Sequence, residues 1–106
     1  MLKELRFDPA ANVWNAALEG ELDVFEAPKL LESAQRALSE HPGGMALDCK
    51  ALTYIDSMGL GALVKLNKQV ESAGGTITLT GLLPRIKKLF AITGLLETFG
   101  MEEGNG

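Results

Sequence analysis

The sequence is poor in the residues that build metal sites, disulfides and acid–base pairs. Of its 106 residues one is cysteine, Cys49, and one is histidine, His41. A single cysteine excludes a disulfide within the chain and fits, without requiring, a reducing compartment. One cysteine and one histidine cannot complete a usual zinc tetrahedron, and a lone histidine between a helix end and Pro42 lacks the partner and cleft that a general base needs. Positive charge is also scarce. Ten lysines and arginines against fourteen aspartates and glutamates leave a net charge of −4, whereas gripping a nucleic-acid backbone takes a basic field. Direct nucleic-acid binding is therefore not expected. Long apolar runs are missing. The longest uncharged stretch, Ser72–Pro84, carries turn glycines and falls short of the ~20 residues a helix needs to cross a bilayer. The N-terminus lacks a basic region followed by an apolar stretch, so it does not read as a signal peptide. These absences predict a cytoplasmic chain without membrane insertion.

What is present is ordinary globular material. Hydrophobic residues make up 46% and charged residues 23%, a balance that supports a packed core and argues against disorder. A chain of this length suits one domain and can bury roughly two-thirds of its unfolded surface. The expectation is a single domain over 1–106, with Glu102–Gly106 as a flexible tail.

Periodicity predicts the order of elements. Leu2–Phe7 and Val13–Leu18 read as strands around the turn Asp8-Pro9-Ala10-Ala11-Asn12, an antiparallel hairpin. Gly20 breaks the pattern. A helix follows with Pro28 in its first turn and runs to about Glu40, with Leu30, Leu31, Ala34, Ala37 and Leu38 at helical spacing, and His41-Pro42-Gly43-Gly44 stops it. Met45–Cys49 reads as a strand, Ala51–Asp56 as a linker, Ser57–Ala73 as a helix and Thr76–Thr80 as an alternating strand. A helix from Pro84 to Thr93 and a short last strand over Leu95–Met101 complete the chain. The fold class is α/β: a mixed sheet, an N-terminal antiparallel hairpin plus parallel strands, packed with helices. The free edge of such a sheet can pair with another copy, so a monomer or weak dimer is expected.

Few constellations carry chemistry. Cys49 packs as a small hydrophobe. Gly59 and Gly61 form a G-x-G without the third glycine of a dinucleotide site, so their role is close packing of a helix start. Arg85, Lys87 and Lys88 read as a solvated helix face, and Trp14 and Tyr54 as core or rim aromatics. The segment Tyr54-Ile55-Asp56-Ser57-Met58-Gly59-Leu60-Gly61 is different. It joins a strand to a helix, which puts Asp56 and Ser57 where the N-cap belongs. A helix start favours negative charge, so a phosphoryl group on Ser57 is tolerable there and adds about −1.5 to −2 charges at one surface point.

Three stretches resemble the STAS family, the sulfate transporter and anti-sigma factor antagonist domains, and within it the bacterial anti-sigma factor antagonists. They are Gly20-Glu21-Leu22-Asp23, Asp56-Ser57-Met58-Gly59-Leu60-Gly61, and Pro84 through Leu95. The resemblance implies a regulatory binding protein and not an enzyme, with no cofactor required. It implies that the unphosphorylated protein captures an anti-sigma factor that is an ATP-dependent serine kinase, freeing a sigma factor. Phosphorylation at Ser57 then switches binding off, and a serine phosphatase restores it. By the same resemblance Asp23, Asp56, Ser57, Met58 and Gly59 form the partner-binding surface. Met58 stands where family members often carry a second serine or threonine. A non-switching STAS subunit of a signalling scaffold or lipid-transport system is the alternative, which the acceptor Ser57 after Asp56 argues against.

Overall fold

Alternation in Val13–Leu18 sets the inner face of the sheet. Trp14, Ala16 and Leu18 are buried, while Asn15 between them is exposed. The computed structural model describes residues 1–101. Its elements are β1 (Leu2–Asp8), β2 (Val13–Leu18), β3 (Gly20–Leu22), α1 (Ala27–Glu40), β4 (Gly44–Asp48), β5 (Leu52–Ile55), α2 (Ser57–Ser72), β6 (Ile77–Thr80) and α3 (Pro84–Ile92).

The strands form a four-stranded sheet in the order β1-β2-β4-β6 and a two-stranded sheet of β3 and β5. Among the described residues only β1 and β2 run antiparallel; β2–β4, β4–β6 and β3–β5 are parallel pairs. The predicted mixed α/β fold is therefore present, with the hairpin first and the parallel strands after it. Met45 and Leu47 of β4 and Ile77 and Leu79 of β6 continue the apolar face begun by β2. Helices α1 and α2 pack on one another, and α3 packs beside β5. Leu30, Ala34 and Ala37 of α1, Leu63, Leu66 and Val70 of α2, and Ile86 and Phe90 of α3 join one cluster of buried side chains. Each large apolar side chain buried there contributes about 1.5–3 kcal/mol relative to exposure. Cys49 lies in the same cluster, and burial, followed by the charge of Asp48, pushes its thiol up to about 12.

Three expectations are corrected. The linker predicted over Ala51–Asp56 contains β5, and Gly20, predicted only to break a strand, begins β3. These strands have three and four residues, too few for alternation to show. The first helix spans Ala27–Glu40 and carries Pro28 in its first turn, as predicted. The strand predicted over Leu95–Met101 does not form. Phe99 N–H donates to Leu95 O (3.2 Å) and Met101 N–H to Leu96 O (2.8 Å), so the run winds in turns. Winding buries Leu96 and Phe99 together and sets Phe99 edge-on to Phe90, with ring centroids 5.6 Å apart. Extended backbone would put those two side chains on opposite faces. The tail predicted over Glu102–Gly106 lies outside the described residues.

Candidate functional site

The start of α2 is built around Asp56. Its backbone is extended and its side chain caps the helix: Oδ1 accepts from Gly59 N–H at 2.8 Å. The second carboxylate oxygen accepts from Val24 N–H at 3.2 Å, and the Asp56 N–H donates to Leu22 O at 3.3 Å. One residue thus ties the helix start to the loop after β3. The parallel pairing of β3 with β5, Glu21 opposite Tyr54 and Leu22 opposite Ile55, brings the two segments together.

Asp23 organises that loop from inside. Its Oδ1 accepts from Phe25 and Glu26 N–H, each at 3.0 Å, and its carbonyl accepts from Ala27 N–H at 2.8 Å. The residue immediately before α1, Glu26, makes no side-chain cap. Asp23 satisfies amides there instead, as aspartate commonly does in such turns.

Ser57 is the first residue of α2, not its cap; Asp56 holds the cap. The Ser57 side chain is exposed, and its hydroxyl makes no hydrogen bond among the described residues. Gly59 is buried against the loop. A Cβ there would stand 2.3 Å from Leu22 O and 2.8 Å from the Ile55 side chain, so only glycine allows this approach. Gly61, read from sequence as a second packing glycine, has open space where its Cβ would be.

The structure therefore brings Asp23, Asp56, Ser57, Met58 and Gly59 into one place. The two aspartates spend their carboxylates on backbone amides of their own chain. Large apolar side chains stand exposed on the joined segments: Val24 (47%) and Phe25 (76%) on the loop after β3, Tyr54 (50%) in β5, and Met58 (54%) next to Ser57 in α2. Val24, Phe25 and Tyr54 were not singled out as contact residues by sequence. The available signal was the Val24-Phe25 pair, which follows Asp23 and lies outside the apolar stripe of α1. Beside Ser57 a groove runs between the two helix starts, lined by Pro28, Leu31, Met58, Gly61 and Lys65.

The ring of His41 stacks on Phe7, 4.3 Å between centroids, and its carbonyl accepts from Trp14 Nε1 at 2.9 Å. Trp14 is a core aromatic and Tyr54 a rim aromatic. Arg85 donates to Thr53 O at 2.7 Å, tying α3 to β5. Among the described residues no group of His, Cys, Asp or Glu is placed to hold a metal ion, and no helix is long and apolar enough to cross a membrane.

Comparison with known proteins agrees with this geometry. The profile of the STAS domain matches residues 13–104. The anti-sigma-B factor antagonist of Bacillus subtilis strain 168 is 40% identical over 78 residues, covering 74% of this chain and 71% of that protein. A crystal structure of an anti-sigma factor antagonist from Mycobacterium paratuberculosis superposes with a TM-score of 0.71 at 20% identity, covering 99% of this chain and 85% of that one. The Bacillus cell fate determinant SpoIIAA in its phosphorylated form gives a TM-score of 0.67 at 20% identity, covering 93% and 86%. The last two likenesses concern the fold.

Proposed function

The chain belongs to the STAS domain family, and on that premise we propose that it is an anti-sigma factor antagonist switched by phosphorylation of Ser57. In its unmodified form it binds an anti-sigma factor that is also a serine kinase, and so releases a sigma factor. It acts in the cytoplasm as a regulatory binding domain and performs no catalysis itself.

The observation that carries this reading is the division of labour at the start of α2. Asp56 fills the cap, so the Ser57 hydroxyl is free for modification without loss of the cap. In the kinase reaction Ser57 Oγ forms a bond to the γ-phosphorus of ATP. The bond from that phosphorus to the β,γ-bridging oxygen breaks, ADP leaves, and the hydroxyl proton passes to the kinase. The product places about −1.5 to −2 charges at the helix N-terminus, where the fold tolerates them. It also places them next to exposed Met58, on the helix start that Asp56 ties to the loop of exposed Val24 and Phe25. A partner that packs on those apolar side chains must then desolvate a phosphate, and docking weakens. Hydrolysis by a serine phosphatase regenerates the binding form.

The test is to incubate the protein with an anti-sigma factor kinase and ATP and locate phosphate by mass spectrometry. Phosphate is expected on Ser57 and is absent in Ser57→Ala. Ser57→Ala keeps binding, whereas Ser57→Asp binds at least about tenfold more weakly, because one unpaired charge is buried at the interface. Equal binding by Ser57→Asp and the wild type overturns the switch.

A further inference from the structure

The two edges of the four-stranded sheet are treated differently. The β1 edge carries Lys3, Glu4 and Arg6. Its register shifts between Lys3 and Arg6, and Glu4 sits there at φ +56°. Charges and bulges are the means by which edge strands resist pairing. The β6 edge has neither. It holds register with β4 from Met45↔Ile77 to Asp48↔Thr80, it contains no charge or proline, and among the described residues it ends its sheet.

The ladder shows which backbone groups face outward. Met45 N–H donates to Thr76 O at 3.0 Å and Cys49 N–H to Thr80 O at 2.7 Å. Along a strand successive residues turn their N–H and C=O to opposite sides. Thr76, Thr78 and Thr80 therefore face β4, while Ile77 and Leu79 direct theirs to the free edge.

The segment Thr76-Ile77-Thr78-Leu79-Thr80 reads with the same pattern in both directions. We propose that two copies of this chain pair antiparallel along β6, about a two-fold axis through Thr78. In that register Ile77 of each copy stands opposite Leu79 of the other, and the two exchange both backbone hydrogen bonds. Thr78 stands opposite Thr78 in the closer position without hydrogen bonds. Apolar residues meet on the inner face and threonines on the outer one, pairs that stabilise a sheet. A slip of one residue sets apolar against threonine on mismatched faces, so self-complementarity selects both the occupant and the register. Helix α2 begins at the C-terminal ends of the parallel strands, so the antiparallel pair points its two Ser57 surfaces in opposite directions and leaves both open.

The pairing does not depend on the reading of Ser57 and is tested without any partner. A short edge gives a weak dimer, detectable by sedimentation at concentrations on the order of 0.1–1 mM. Thr78→Lys changes an exposed side chain and sets two ammonium groups at the axis. It is expected to weaken association about tenfold or more with the fold retained. Thr78→Cys is expected to cross-link to itself with oxidised glutathione as electron acceptor. Thr80→Cys is expected to cross-link only when mixed with Thr76→Cys; Cys49 is buried and contributes little background. A wild type that stays monomeric throughout that range overturns the proposal. So does undiminished association of Thr78→Lys, or self-cross-linking of Thr80→Cys equal to that of Thr78→Cys.

Discussion

Helix α2 has two halves with opposite treatment of apolar side chains. Leu63, Leu66 and Val70 are fully buried in the core, whereas Met58, one residue past the helix start, stands exposed. The buried half holds the fold together. The exposed end buries little apolar surface and so adds little to stability.

The sharpest way to break that contrast is to cut into each half in turn. Leu66→Ala removes a fully buried side chain and is expected to destabilise by about 2–5 kcal/mol, read as a lowered midpoint in urea. Gly59→Ala is next. Alanine favours the helix by about 1 kcal/mol, but its Cβ collides with the Leu22 carbonyl. A net loss of about 1–3 kcal/mol follows, together with a displaced loop. Gly61→Ala, two residues on and with open space around it, serves as the control: its stability rises by up to about 1 kcal/mol. A Gly59→Ala variant as stable as Gly61→Ala would show that the loop yields freely.

Asp56→Ala removes the cap and the tie to Val24 together, and is expected to cost about 1 kcal/mol in thermal or urea unfolding. Its hydrogen exchange is expected to speed up at Val24 and Gly59, whose amides lose their acceptor. Phe25→Ala has the smallest effect on the fold, within about 0.5 kcal/mol of the wild type. Its binding to the anti-sigma factor falls about tenfold or more, as for an interface aromatic. A Phe25→Ala variant that loses stability instead would erase the distinction between the two regions.

The long elements were legible because their periods are long. Leu30, Ala34, Ala37 and Leu38 repeat over several turns, and Trp14, Ala16 and Leu18 alternate over a whole strand. The start of α2 was legible from local chemistry, since aspartate before a helix is a cap in most settings. The exchange of roles between Asp56 and Ser57 was not, because both side chains can cap and only the backbone path decides which one does. The pairing of β3 with β5 was hidden for a related reason. Three residues and four have no period, and their partner lies some thirty positions away in the chain.

Leu95–Met101 makes the same point from the other side. Its composition suits a strand, yet burial of Leu96 and Phe99 against Phe90 outweighs that preference, because packing contributes more than β-propensity. By itself the sequence determined the mixed sheet, the three helices and the place of Ser57 at a helix start, since these follow from spacing and capping chemistry carried within a few residues. Only the tertiary structure decided that Asp56 clamps the loop of Asp23, that Gly59 lies under Leu22, and that the loop carrying exposed Val24 and Phe25 is tied to the helix start of Ser57. Those arrangements depend on which distant segments the core brings into contact, and no local pattern encodes that.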